Sequence, residues 1–476
     1  MHDRVVRVLL SGSVQGCGVR PALARLADRH RWSGSVKNIA AGVELILKSE
    51  ALPDDNSLTV LIRDSLPPVA RISELTVSSH PRFEGASFNI LESDTAGLLA
   101  SHIPRDVAIC DECLAESRDL TNPRFAYPFT SCAYCGPRYS VLHSMPFDRN
   151  RTTMGVFALC GECRDEYLDP SNRRFHAQTI CCPTCGPQVW TTNGTGNCVA
   201  EKDAAVQSAA GALLDGNIVA VRGVGGYQLL ADATSSSAVA ELRWRKRRPA
   251  KPFAVLCRTL DEAHVLAHLN AVEIRQLSSP QNPIVLVRQR LRSPLAPAVN
   301  PGLGDIGLLL PTTALHDRLS ELTGRSLICT SGNVDGEPLA SGVDDAQQRL
   351  RGIADLFLHH NRDITHPIDD SVVRVIANRP VTIRCARGLA PLPLSLTSQS
   401  TTMALGGHQK SAVAVSNSGQ AWLGAHVGDL DTISAQEQWC ERVRSQGKSF
   451  LSHEHGNQNL CADQIIHDPH PTYFPT

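Results

Sequence analysis

Two stretches of the chain carry one cysteine frame. CDECLAESRDLTNPRFAYPFTSCAYCGP begins at Cys110 and CGECRDEYLDPSNRRFHAQTICCPTCGP at Cys160, and both read C-x2-C-x18-C-x2-C. Two such knuckles at this separation have the spacing of a four-thiolate zinc site. The ligand sets are Cys110, Cys113, Cys132, Cys135 and Cys160, Cys163, Cys182, Cys185. The copies also agree at Glu112/Glu162, Asp119/Asp169, Asn122/Asn172, Arg124/Arg174, Phe125/Phe175 and the closing Gly-Pro. Four thiolates leave zinc no open position, so two structural ions are expected. Cys181 beside Cys182 would let the second frame slip by one, but the 18-residue spacer repeats the first copy. His176, in RFHAQ, is open to reading as a substitute ligand, a substrate contact or a packing histidine.

The competing reading of the frames is a disulfide framework, which requires an oxidising compartment. MHDRVVRVLLSG has a short apolar run and no small-residue cleavage site, so no secretory signal is expected. No stretch approaches the roughly 20 apolar residues of a membrane span. A cytoplasmic location, with reduced thiols, is the expectation. Cys17, Cys181, Cys198, Cys257, Cys329, Cys385, Cys440 and Cys461 then read as mostly ordinary buried thiols. A formal net charge of −1 gives no general pull towards nucleic acid or an anionic membrane.

Residues 1–92 order themselves as βαββαβ, a ferredoxin-like sandwich. VVRVLLSG reads as a strand, RPALARLADRH as a helix with Leu23, Ala24 and Ala27 on its apolar stripe, and 34–48 as a hairpin turning at Gly42. SLTVLIRDSL is a second helix, with RISELTVSS and ASFNILES as late strands. Residues 101–190 hold the cysteine repeat and lack long apolar runs, so metal must supply much of their stability. TTNGTGN (191–197) reads as a polar bridge to a larger α/β unit over about 200–392. There NIVAVRG, FAVLCR, PIVLVRQ and SLICTSG are strands alternating with helices. Past PLPLSLTSQSTT, a further unit (401–476) alternates like strands.

Between the first strand and helix lies SGSVQGCGVR. A glycine-containing loop opening on a helix N-terminus aims N–H groups at an anion, and an arginine there can clamp phosphate oxygens. Val14 to Arg20 resembles the acylphosphatase signature loop, with the matching asparagine at Asn38. By that resemblance Arg20 holds the phosphate and Asn38 positions the attacking water. Cys17 and Val19 replace the usual valine and phenylalanine.

ELRWRKRRPAKPFAVLC gathers Arg243, Arg245, Lys246, Arg247, Arg248 and Lys251 before an apolar strand. The prolines and the following strand favour a fixed cluster at a sheet edge, suited to polyphosphate, over a solvated run. Thr330-Ser331-Gly332-Asn333 ends the strand SLIC, where open α/β sheets bind ligands. These elements resemble the K-x-R and S-x-N motifs of the YrdC-type family, which makes carbamoyl-adenylates from ATP. The matching residues are Lys246 and Arg248, then Ser331 and Asn333, with Lys251, Thr330 and Asp369–Arg374 also fitting; Arg222 stands where that family often has lysine.

The order of these parts, with TSGNVDGEPLA, HNRDITHPIDDSVVR and RCARGLAP, resembles the HypF family of [NiFe]-hydrogenase maturation carbamoyltransferases. The resemblance implies a multidomain α+β and α/β chain: an acylphosphatase-like domain at 1–92, a twin four-cysteine zinc-finger module at 101–190, a YrdC-like ATP-binding domain at 200–392, and part of an actin-like transferase domain at 401–476. It implies hydrolysis of carbamoyl phosphate, adenylation of the carbamate with ATP and magnesium, and transfer to the C-terminal cysteine of HypE. The family's H-H-x-H metal motif is missing, and His408, His426, His467 and His470 do not replace it. The last transfer step is therefore expected to be impaired in a chain ending at Thr476. Two other readings are a threonylcarbamoyl-adenylate synthase for tRNA modification, disfavoured by the acylphosphatase loop, and a zinc-ribbon nucleic-acid-binding protein, disfavoured by the near-zero charge.

Overall fold

The computed structural model describes residues 3–94, 101–417, 419–450 and 462–476, with only the backbone described at 448–450. Cys461 lies outside the described residues, as do Met1 and His2 of the chain start. The first unit runs β1 (Arg4–Ser13), α1 (Val19–His30), β2 (Ser33–Ile39), β3 (Gly42–Ser49), α2 (Asp55–Ser65), β4 (Arg71–Ser79) and β5 (Phe88–Ile90). Its sheet order is β4-β1-β3-β2-β5, the ferredoxin-like arrangement expected, with one short strand added in parallel to β2. Alternate residues of β1 (Val6, Val8, Leu10) meet Leu23, Leu26 and Ala27 of α1 in one core. Leu26, rather than Ala24, completes the helix stripe. The Asp54 side chain accepts from the backbone N–H groups of Asn56 and Ser57 and so starts α2.

The second sheet is mixed and contains twelve described strands. From edge to edge they are Arg379–Arg384, Val372–Ile376, Ile284–Gln289, Asp305–Leu309, Ala254–Leu256, Leu327–Ser331, Tyr227–Asp232, Val219–Arg222, Leu356–His360, Val189–Asn193 and Cys198–Glu201, with Ala267–His268 pairing Ile284–Gln289. All four apolar runs read from the sequence lie within it. The expectation of a separating bridge at 191–197 is not met. Val189–Asn193 pairs antiparallel with Leu356–His360 and turns back on Cys198–Glu201. Threonines suit a strand despite their polarity, and Thr191 is fully buried. The Asn193 carboxamide oxygen accepts from the N–H groups of Thr195 and Asn197 and closes the turn.

The third sheet orders Leu392–Ser395, Gln420–Leu423, Ala414–Asn417, Thr402–Ala404 and Gln464–Ile466. PLPLS is thus its edge strand rather than a connection before it. One apolar cluster joins Ile103, Tyr139, Leu142 and Phe147 of the cysteine segment to Ile368 and Ala386 and to Met403, Val413 and Trp422. Among the described residues no helix is long and apolar enough to cross a membrane.

Asp370 and Arg387 form a buried pair, Arg387 Nε donating to Asp370 Oδ1 at 2.6 Å. Burial opposes ionisation of Asp370, but the charge and hydrogen bond of Arg387 outweigh it and hold the carboxyl below its ordinary range. Arg387→Leu should leave that carboxylate buried and unpaired, at a cost of about 3–5 kcal/mol. Denaturant unfolding followed at the sheet unit reads this directly. The deficit should shrink as pH falls from the unfolded carboxyl value of about 3.9 through the lower folded value, because the wild-type contribution is full above the first and lost below the second.

Candidate functional site

The cysteine frames fold as two related loops, each opened by a short helix, α3 (Asp111–Arg118) and α4 (Gly161–Leu168). In the first, Cys132 Sγ lies 3.8 Å from Cys110 Sγ and from Cys135 Sγ, and Cys135 Sγ lies 3.6 Å from Cys113 Sγ. In the second, Cys182 Sγ is 3.7 Å from both Cys160 Sγ and Cys185 Sγ. Each set of four converges within 4.8 Å. Zinc–sulfur bonds of about 2.3 Å at tetrahedral angles require sulfurs about 3.8 Å apart, and a disulfide requires about 2.05 Å. The donor sets fit zinc. Cys181 turns away and donates to Phe129 O, so the frame does not slip. Among the described residues no other group of Cys, His or carboxylates converges in this way. His176 is not a ligand.

The repeated residues outside the frames now have causes. Asp119 and Asp169 accept from the N–H groups of Thr121 and Ser171, and Asn122 and Asn172 from those of Arg124 and Arg174. Both arginines then cross to the other finger, Arg124 to Glu166 and Arg174 to Glu116. Arg173 Nη2 donates to Cys113 Sγ at 2.8 Å and Cys110 Sγ at 3.1 Å, balancing thiolate charge. Glu116 and Glu166 occupy one column of the repeat, which marked them in the sequence, and their reading was missed.

The first candidate anion site is built by β1, α1 and the end of β2. Gly16 and Gly18 have φ of 68° and 80°, a left-handed backbone that favours glycine. Arg20 is buried; its Nη1 donates to Ser93 Oγ at 3.3 Å and its Nη2 meets Asp148 Oδ1 at 2.8 Å. Asp94 N donates to Asn38 O, bringing Asn38 beside the same short segment. Asn38 is 1% exposed, yet neither atom of its carboxamide has a partner among the described residues. Such a buried orphan amide suits a water or a substrate oxygen. Cys17 donates to Ser13 O, and burial pushes its thiol up to about 12. Val19 lies in the apolar core.

The cysteine module covers this loop, which sequence reading did not anticipate. Arg138 Nε donates to Gly16 O, Phe147 N to Gln15 Oε1, and a Cβ on Gly18 would strike the Tyr134 ring. Burial and the neighbouring Arg20 push His176 down to about 4, with Asp148 pulling the other way. His176 is therefore a neutral wall group near Arg20.

The basic run before Ala254–Leu256 divides. Arg245 pairs with Glu241 and Asp355, and Arg243 donates to Ala298 O and Val299 O. Arg247 adopts a left-handed turn with φ 54°. Lys246, fully buried, donates to Ser331 O, Asn333 O and Asn333 Oδ1 at 2.6–2.8 Å. Three acceptors match the three donors of an ammonium, while burial, with Arg248, pushes its pKa down to about 7. Ser331 Oγ donates to Asn333 Oδ1, and Asp335 bridges Arg248 and Lys251. Arg248, Thr330, Ser331 and Asp369 face a cavity of about 350 Å³ that Lys410 and His426 of the third sheet unit also line. Lys246 thus shapes the Ser331–Asn333 turn rather than lining the cavity. Arg222 donates to Ser341 O and His360 O instead of reaching it.

Family models match in the same order: acylphosphatase over 6–90, HypF finger over 109–142 and 159–192, telomere recombination (the YrdC type) over 211–386, and HypF Kae1-like domain over 397–476. The carbamoyltransferase HypF of Synechocystis sp. is 39% identical over 99% of this chain and 60% of its own length. That of Rhodobacter capsulatus is 42% identical over 96% of this chain and 60% of its own. The chain belongs to the HypF family. A crystal structure of full-length HypF in a phosphate- and nucleotide-bound form superposes with a TM-score of 0.93 at 34% identity, covering all of this chain and 61% of that one. HypF of T. kodakarensis superposes at 0.88 with 33% identity, covering 99% of this chain and 59% of that one. The chain spans about 60% of the length of these HypF proteins.

Cys132→Ser and Cys182→Ser should each reduce bound zinc from two ions to one, while Cys181→Ser keeps both. Metal analysis of the three purified variants checks the frame. Loss of an ion on replacing Cys181 would contradict it.

Proposed function

We propose that the chain performs the two opening reactions of a HypF carbamoyltransferase. At the first site, water attacks the phosphorus of carbamoyl phosphate, the bridging P–O bond breaks, and carbamate and inorganic phosphate leave. Arg20 and the N–H groups of the positive-φ loop carry the phosphate charge as it shifts. Asn38 holds the attacking water. The observation that carries this reading is its buried carboxamide, without a partner among the described residues, on a strand end that binds Asp94 next to the Ser93 that Arg20 reaches.

At the second site a carbamate oxygen attacks the α-phosphorus of ATP, forming carbamoyl-adenylate and releasing pyrophosphate. Arg248 and Lys251 neutralise the triphosphate, Thr330 and Ser331 orient it, and Lys246 with Asn333 keeps that turn in shape. Magnesium bound with ATP would supply further charge neutralisation. The acceptor is the C-terminal cysteine of HypE, and the working compartment is the cytoplasm. The nucleic-acid reading loses support because Arg243 and Arg245 are committed to intramolecular partners. The tRNA-modification reading leaves the first site without a task.

Arg20→Ala should lower phosphate release from carbamoyl phosphate by at least about 100-fold. Lys246→Ala should abolish AMP formation from ATP and carbamoyl phosphate while leaving that phosphate release intact. Separate assays of phosphate and AMP check both. ADP as the main nucleotide product would contradict the adenylation chemistry.

A further inference from the structure

The acylphosphatase-like site contains a group that phosphate binding alone does not call for. Asp148 comes from the connector between the fingers, 128 positions from Arg20, and its Oδ1 sits on the Arg20 guanidinium. A carboxylate there repels an incoming phosphate dianion, so a site meant only for phosphate would be better without it. Its placement is also firm. Phe147, the preceding residue, is 1% exposed, donates its N–H to Gln15 Oε1, and offers its carbonyl to Arg20 Nη2. The second oxygen, Oδ2, makes no hydrogen bond among the described residues, and the side chain stays 20% exposed. One oxygen is therefore tied to the phosphate clamp and the other is left for a ligand.

Acyl phosphates differ in what their carbonyl carbon bears. In carbamoyl phosphate it is an amino group, which only donates; in acetyl phosphate it is a methyl group. An ionised carboxylate only accepts. We propose that Asp148, supplied by the cysteine module, is the specificity-determining residue of the phosphate site: Oδ1 fixes Arg20 and Oδ2 accepts an N–H from the carbamoyl amino group. This rests on the reading of that site as a carbamoyl-phosphate hydrolase and adds how the site rejects other acyl phosphates. A hydrogen bond to a charged partner is worth about tenfold to a hundredfold in such a choice. His176, neutral and close by, adds no opposing charge at this position.

The test uses the full zinc-loaded chain and compares kcat/KM for carbamoyl phosphate with that for acetyl phosphate. The native chain should prefer carbamoyl phosphate by about tenfold or more. Asp148→Ala should lower its use of carbamoyl phosphate by about tenfold to a hundredfold. Acetyl phosphate should suffer only the small loss of a part-exposed tether on Arg20. Asp148→Asn keeps the side chain's shape, so it should fold where alanine does not and should erode the same ratio. Equal losses on both substrates would mean that Asp148 merely holds Arg20, and would overturn the inference alone. A native chain that releases phosphate from neither substrate would overturn the proposed function with it.

Discussion

Four thiolates closing on one point in each finger are what the rest of the molecule is hung on. Residues 101–190 have little apolar core of their own beyond small clusters around the cysteines, so a metal-held frame fixes where their loops go. From that frame Tyr134 meets Gly18, Arg138 meets Gly16, and Phe147 and Asp148 meet Gln15 and Arg20. On the other side Ala108 and Ile109 donate to Pro280 O and Thr312 O, and Arg118 pairs with Asp317. The module thus lies between the loop at residues 14–20 and the large sheet.

The crossed arginines explain why the frame is written twice. A single finger would leave Arg124 without its carboxylate, Arg174 with only the 3.7 Å contact to Glu166 of its own copy, and each set of thiolates without the arginine that reaches it from the other copy. Two fingers exchange them, Arg124 with Glu166 and Arg174 with Glu116. Removing one partner of such a pair exposes the full desolvation cost of the other, so neither copy is readily dispensed with. The copies are not equivalent: Arg173 reaches the first set of thiolates, whereas Pro123 stands in its column of the first copy and, among the described residues, the second set receives Arg124 on Cys163.

Much of this was legible in the sequence because the signals are local. The cysteine spacing, the positive-φ loop opening on a helix and the apolar runs of the large sheet each announce one element. TTNGTGN misled because threonine and asparagine look like linker residues when their strand partner, Leu356–His360, lies more than 150 residues away. The basic run looked uniform because spacing does not say which arginines find carbonyls and carboxylates of their own. Asp148 carried no local signal at all. Its role follows from the module lying over the phosphate loop, a long-range fact that neither segment contains alone.

Metal in the fingers should hold the loop at residues 14–20 in shape at a distance. Amide hydrogen exchange across residues 14–20, before and after zinc is stripped by a chelator, tests it directly. On chelation this loop should lose protection together with the module while the β1–β3 core of the first sheet stays protected. Unchanged protection at 14–20 in zinc-free protein would contradict it, and would mean that the acylphosphatase-like unit shapes its own site unaided.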